Sequence, residues 1–186
     1  MTNTFSMELL CRRLLSADRE LNEDNPPDAA VAVIINSFQR GGSLLLIRRT
    51  ERSGDPWSGQ IAFPGGHRAS VDRSFLDTAI RETNEEVGIS LREHIVLGVL
   101  PLTCARTREI RVAPFVFQLK TNVELHPNME VANAFWVPVN SLAHCPVTRR
   151  KVRVPEGEIT VDSYIYGENV IWGLTFRIVN MLLGKA

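Results

Sequence analysis

Cysteine is scarce in this chain. Cys11, Cys104 and Cys145 are the only three among 186 residues, far apart and without a CxxC pair. An odd, scattered set excludes a fully paired disulfide framework and offers no four-ligand zinc site. Reduced thiols in an intracellular protein are therefore expected. Net charge is lacking as well. Lys plus Arg and Asp plus Glu both number 21, so the formal charge is zero, and no overall field draws the chain to nucleic acid or an anionic membrane. No apolar run approaches the roughly 20 residues that span a bilayer. The polar N-terminus, broken by Arg12, Arg13 and Asp18, does not read as a secretory signal. Repeats and low-complexity segments are absent. These absences lead to a cytoplasmic protein with no nucleic-acid or membrane partner.

What is present is an ordinary globular composition, 44% apolar and 23% charged, at a length suited to one domain over residues 1–186. Residues 1–28 read as an N-terminal helix, from Met7 to about Asn22, and a Pro-Pro linker. Leu9, Leu10, Leu14, Leu15 and Leu21 share its apolar side. Strands are expected at Ala29 to Ile35, Ser43 to Ile47, Gln60 to Phe63, Ile95 to Leu100, Val112 to Leu119 and Ala134 to Val137. Two more flank Pro155-Glu156-Gly157, at Lys151 to Val154 and Ile159 to Tyr164. Helices are expected at Phe75 to Val87 and from about Ile171 to Leu183, while Thr103 to Arg111 and Ser141 to Val147 read as irregular. Interleaved strands and helices point to an α/β or α+β sandwich on a mixed sheet. The two apolar terminal helices leave room for a homodimer.

The stretch from Phe63 to Ile89 carries the chemistry. Phe63-Pro64-Gly65-Gly66 reads as a rigid turn whose glycines let backbone approach a ligand. The helix after it ends at a Gly88 cap and bears Glu82, Glu85 and Glu86. Residues four apart share a helix face, so Glu82 and Glu86 project together with Glu85 beside them. Three like charges in one turn suit either a solvated face or a divalent cation such as Mg²⁺, which takes carboxylate oxygens together with substrate phosphate.

Arg81-Glu82-Thr83-Asn84-Glu85-Glu86-Val87-Gly88-Ile89 resembles the second half of the Nudix box, Arg-Glu-U-x-Glu-Glu-x-Gly-U, where U is bulky and apolar. Thr83 at a U position is the one mild departure. The first half departs further. The usual pattern sets a Gly, five residues, a Glu and seven residues before the Arg, whereas here Gly66 and Asp72 have the five-residue gap and the second gap is one longer. Asp72 thus stands near the absent Glu, which in the family organises the loop more than it binds metal. Gly59-Gln60-Ile61-Ala62-Phe63-Pro64-Gly65-Gly66, Phe135-Trp136-Val137-Pro138 and Ile171-Trp172-Gly173-Leu174-Thr175 resemble the coenzyme A pyrophosphatase branch. The loop from Ser53 to Ser58 looks one residue longer than that branch has it.

The resemblance implies a Nudix-type α/β/α sandwich with a central mixed β-sheet. It also implies Mg²⁺- or Mn²⁺-dependent hydrolysis of a small-molecule diphosphate. Coenzyme A is the first expectation; ADP-ribose, a dinucleotide, a nucleoside diphosphate or an isoprenoid diphosphate are alternatives, as is a nucleotide-sensing module without turnover. Glu82 and Glu86 are implied as metal ligands, with Glu85 assisting and Gly65 or Gly66 offering a carbonyl. Arg81, one turn before Glu85, is placed to orient it or to contact substrate. Glu130 and Glu109 are candidate general bases beside the metal-site glutamates themselves. Arg48, Arg49 and Arg52 either bind phosphates or form a solvated run, and His67 either touches phosphate or stays in solvent. Trp57, Tyr164 and Tyr166 are candidates to stack on a base, with Trp136 and Trp172 assigned to the core.

Overall fold

Eight consecutive residues, AAVAVIIN, form β1 (Ala29–Asn36), an almost wholly buried strand. Such an unbroken apolar, β-branched run suits a strand covered on both faces. The structure, a computed structural model, describes residues 6–17, 26–38, 41–55, 57–104, 110–154 and 157–185. Around β1 lie β2 (Ser43–Arg49), β3 (Ile61–Ala62), β4 (Gly65–His67), β5 (Ile95–Val99), β6 (Thr103–Cys104), β7 (Arg111–Gln118) and β8 (Val131–Pro138). They make one eight-stranded sheet with the order β3-β2-β1-β7-β5 along its main path. On it β4 also pairs with β1, β6 with β7 and β8 with β2. The β1–β7 pairing is parallel and the others are antiparallel, so the sheet is mixed.

Alternation along the strands divides the core in two. Val33, Ile35, Leu44, Leu46 and Val116 face one side, where helix α4 (Gly173–Leu183) packs with Ile178, Val179 and Leu182. Ala32, Ile34, Leu45, Ile47 and Phe115 face the other, where helix α2 (Phe75–Val87) packs with Ala79, Ile80 and Val87. Each fully buried Leu, Ile or Val contributes on the order of 1.5–3 kcal/mol. The expected α/β architecture on a mixed central sheet is present, with an addition on the α4 side. There β9 (Thr148–Val154), β10 (Gly157–Tyr166) and β11 (Asn169–Trp172) form a separate three-stranded sheet.

Several expectations are corrected. The N-terminal helix α1 (Met7–Cys11) is one short segment. After it the backbone of Leu15 exchanges hydrogen bonds with Val99 in both directions, which draws the chain into extended pairing on β5 and ends the helix. Leu10 is buried while Leu9 is exposed, so the leucines do not share one side; Leu21 and the stretch 18–25 lie outside the described residues. The segment expected to be irregular near Ser141 is helix α3 (Val139–His144), and Thr103–Cys104 is a strand rather than loop. Asn169–Trp172, partly assigned to the last helix, is a strand paired with β10. Gly173, at φ 62°, breaks the extended run where α4 begins.

Candidate functional site

Helix α2 is defined at both ends by local chemistry. The Ser74 hydroxyl accepts the Asp77 N–H at 3.1 Å, and Gly88 closes the other end in the left-handed conformation. Thr83 occupies its apolar position at no cost in unpaired groups, because its hydroxyl donates to the Ala79 carbonyl at 2.7 Å.

Asp72 sits at the front of this helix and is only 5% exposed. Its carboxylate accepts two bonds from Arg81, from Nε and Nη2 at 2.9 Å each. It also accepts the Ala69 N–H at 2.9 Å and the Thr78 hydroxyl at 3.0 Å. The paired guanidinium, chiefly, holds the Asp72 carboxyl far below the usual carboxylate range and pushes Arg81 up in turn. Arg68 ties the same loop by donating to the Asp72 and Arg73 carbonyls. Asp72 therefore ties the loop together while its carboxylate holds Arg81.

Arg81 has reach to spare. Its Nη1 lies 2.8 Å from Glu82 Oε1 and 3.0 Å from Glu85 Oε2, and Nη2 donates to the His67 carbonyl at 3.3 Å. Beside this hub Glu86 is 3% exposed and accepts the Gly65 N–H at 2.9 Å. Burial first, and then the charge of Glu82, raise its pKa to about 7. Burial likewise raises Glu82, against the pull of Arg81. The other acid, Glu85, is half exposed.

The Phe63–Gly66 segment is not simply a turn. Gly65–His67 is strand β4, in antiparallel register with Ala29–Val31. A Cβ on Gly65, at φ 150°, would lie 2.3 Å from the Ala30 carbonyl oxygen, so this glycine serves close strand approach. A Cβ on Gly66 would lie 2.6–2.9 Å from the Glu82 carboxyl atoms. Gly66 thus leaves open the space that the acid occupies.

An open cleft of about 530 Å³ is lined by Arg52, Glu82, Glu85, Glu86, Asn128, Met129 and Glu130. Glu130 arrives from a segment far away in sequence and pairs with Arg52 at 3.0 Å. Four carboxylates facing one arginine suit divalent cations, which neutralise charge and take oxygen ligands. The raised Glu86 and Glu82 are the acids that a cation would relieve, and Gly66 gives Glu82 its room. Among the described residues no three acidic, histidine or cysteine side chains converge as a ready-made metal cage, since Glu82 and Glu85 both turn to Arg81. The residues fit the metal in type and burial; an ion would have to draw Glu82 from the arginine.

The remaining candidates separate. Arg48 does not join the cleft: it lies on the α4 side, bonded to Glu168 at 2.7 Å and Asn169 at 2.8 Å. Consecutive strand residues face opposite ways, so Arg48 and Arg49 could not both serve one site. Arg49 binds Asp55 at 2.9 Å, and its charge acts on Glu86. His67 is exposed, with Nδ1 3.1 Å from the Asp28 carbonyl, and does not line the cleft. Tyr164 is wholly buried against Phe176 and donates to Asn180, so it cannot stack on a base. Trp136 and Trp172 are half-buried, and only Trp136 packs against a core cluster. Glu109 lies outside the described residues. Sequence reasoning passed over Asn128 and Met129, which no spacing tied to the acids; only their position just before Glu130 hinted at them.

Comparison with known proteins follows the same lines. Residues 26–156 match the NUDIX domain family. The human mitochondrial coenzyme A diphosphatase NUDT8 is 32% identical over 184 residues, 95% of this chain and 76% of that protein. The uncharacterized Nudix hydrolase NudL of Photorhabdus laumondii is 38% identical over 169 residues, 86% of this chain and 84% of that protein. Among solved structures, a MutT/nudix family protein from Enterococcus faecalis superposes with a TM-score of 0.55 at 20% identity, covering 90% of this chain and 64% of that one. Among the described residues no helix is long and apolar enough to cross a membrane.

Proposed function

The chain belongs to the Nudix family and is a diphosphatase of the acid-anhydride hydrolase type, and from that premise we propose that it cleaves the diphosphate bond of coenzyme A or a derivative. The products are adenosine 3′,5′-bisphosphate and 4′-phosphopantetheine. The observation that carries the reaction is the gathering of Glu82, Glu85, Glu86, Glu130 and Arg52 around one cleft. Likeness to the coenzyme A diphosphatase across nearly the whole chain supports the substrate.

In this reading Glu82 and Glu86 are the principal ligands of Mg²⁺ or Mn²⁺, with Glu85 and the Gly66 carbonyl completing the set. The bound ion supplies neutralisation of the diphosphate and of the charge that develops as the bond breaks. Water attacks one phosphorus, the bridging P–O bond breaks, and its electron pair leaves on the departing phosphate. Glu130 accepts the proton of the attacking water, with Glu86 the alternative base at hand. Arg52, now paired with Glu130, turns to the substrate phosphate and frees that carboxylate. Arg49 adds positive charge behind Glu86, while Arg81 orients Glu85 and Glu82 from its anchor on Asp72.

A panel of diphosphates assayed with Mg²⁺ and Mn²⁺, with products resolved by mass, tests this directly. Coenzyme A is expected to give the two products named. Preference for ADP-ribose, a dinucleotide or an isoprenoid diphosphate overturns the substrate while leaving the reaction class intact.

A further inference from the structure

Every side chain lining the acid cleft is charged or carries an amide, with one exception, Met129. It is 85% exposed, more than any other large apolar side chain among the described residues, and none of the others so exposed lines the cleft. A lone exposed methionine on a surface needs no explanation; one at the rim of a site built from acids is placed against whatever enters it.

The backbone that carries Met129 is tied down from two directions. The Thr50 hydroxyl donates to the Met129 carbonyl at 2.9 Å, and the Thr50 N–H donates to the Glu130 carbonyl at 2.9 Å. On the other side the Asn128 N–H donates to the Glu86 carbonyl at 3.0 Å, and the Asn128 side chain accepts the Glu130 N–H at 2.8 Å. The turn is thereby registered on the acid helix through Glu86 and on the end of β2 through Thr50. Its main chain is fixed relative to the carboxylates while its thioether stands exposed.

The acids and their cations see phosphate, which every diphosphate shares, so they cannot tell one organic substituent from another. Discrimination needs contacts beyond the phosphates. A thioether is polarisable and adapts its shape, and it packs well on aromatic and aliphatic surfaces alike.

We propose that Met129 is a specificity-determining residue whose thioether packs on the apolar surface of the organic group adjoining the diphosphate. This rests on the diphosphatase reading but not on coenzyme A being the substrate. In coenzyme A the surface comes from one of two sources, the adenine ring or the pantetheine arm, and the test separates them.

Binding of ADP, 4′-phosphopantetheine and inorganic pyrophosphate, each with Mg²⁺, is measured by calorimetry on wild type, Met129→Gln and Met129→Leu. The glutamine variant keeps side-chain length and loses the apolar surface. It is expected to weaken ADP or 4′-phosphopantetheine by about 3- to 10-fold and leave pyrophosphate within about 2-fold. Leucine is expected to restore most of the loss. Loss on ADP assigns the base as the contact, and loss on 4′-phosphopantetheine assigns the arm. With whichever diphosphate is cleaved, KM rises and kcat stays. Equal weakening of pyrophosphate, or no weakening of either organic ligand, overturns the inference. Should the substrate panel exclude coenzyme A while Met129→Gln still separates ADP from pyrophosphate, the substrate reading falls and the role of Met129 stands.

Discussion

Helices α2 and α4 cover opposite faces of the same sheet, and both end at a left-handed glycine, Gly88 and Gly184. Their buried residues differ in kind. Helix α4 buries Thr175, Ile178, Val179, Leu182 and Leu183, with no charge among them, whereas α2 buries Asp77 and Glu86 beside its apolar residues. Burying an ionised carboxylate costs several kcal/mol of desolvation, on the order of what a good pairing returns. Stability alone would favour a helix like α4. The α2 side holds its acids in place by a second set of charges: Asp72 on Arg81, and Arg73 and Arg92 on Asp77. One helix buries no charge, and the other buries carboxylates beside a set of braced ion pairs.

The sharpest way to break the contrast is Glu86→Gln. Turnover is expected to fall by at least about 10²-fold, because the variant removes a charge that the proposed mechanism sets at the reacting centre. The fold survives, since a neutral amide is easier to bury than a carboxylate. Steady-state kinetics beside a thermal melt decide it, and wild-type turnover in the variant would refute the role given to Glu86.

Next in size is Asp72→Asn, which leaves the Arg81 guanidinium without its buried counter-charge. The expected loss is about 3 kcal/mol of unfolding free energy in urea. Turnover should fall too, because Arg81 then loses its anchor while still holding Glu82 and Glu85. An unchanged unfolding midpoint would show that the brace is dispensable.

On the opposite layer, Leu182→Ala opens a cavity in an apolar cluster and is expected to cost about 2–3 kcal/mol. Here kcat and KM of the folded enzyme remain near wild type. A large fall in kcat at full occupancy of the native state would erase the distinction between the two faces.

The same contrast can be read as a pH dependence measured without divalent cations. Folding raises the Glu86 pKa from 4.5 to about 7. Between these values the folded chain retains a proton that the unfolded chain releases, so stability is full below pH 4.5 and declines as pH rises toward 7. Comparing melting temperatures of wild type and Glu86→Gln across pH 4.5–7.5 isolates this contribution, and parallel curves would contradict it. Asp72, shifted the opposite way, loses its stabilising contribution only as acid protonates it, at lower pH.

Helix α2 with its Gly88 cap, the shared side of Glu82 and Glu86, which both line the cleft, and the β1 and β7 strands were all legible in the sequence. Their causes are local: periodicity, a capping glycine and unbroken β-branched runs. The family register came from the same contiguous stretch, and so did the place of Asp72 near the missing Glu. Legibility ended where residues far apart had to meet. Arg48 and Arg49 are neighbours in the chain and face opposite layers, which became plain only once the strand had partners. Tyr164 looked available for stacking until β10 folded beneath α4. The leucines after Met7 kept a helical look, and Leu15 nevertheless pairs with Val99 as strand.

The sequence by itself carried the family register, and with it the reaction class, and it set Glu82, Glu85 and Glu86 within one helical turn, because a helix repeats every 3.6 residues and needs no distant partner to set which side chains stand together. Only the tertiary structure decided which arginine joins those acids, that Glu130 stands across the cleft from them, and that Met129 is left uncovered at its rim. Those placements depend on pairings between β2, β8 and the end of α2, where backbone hydrogen bonds join residues some 80 positions apart in sequence, as Thr50 is to Met129 and Glu130, and no local pattern encodes such a meeting.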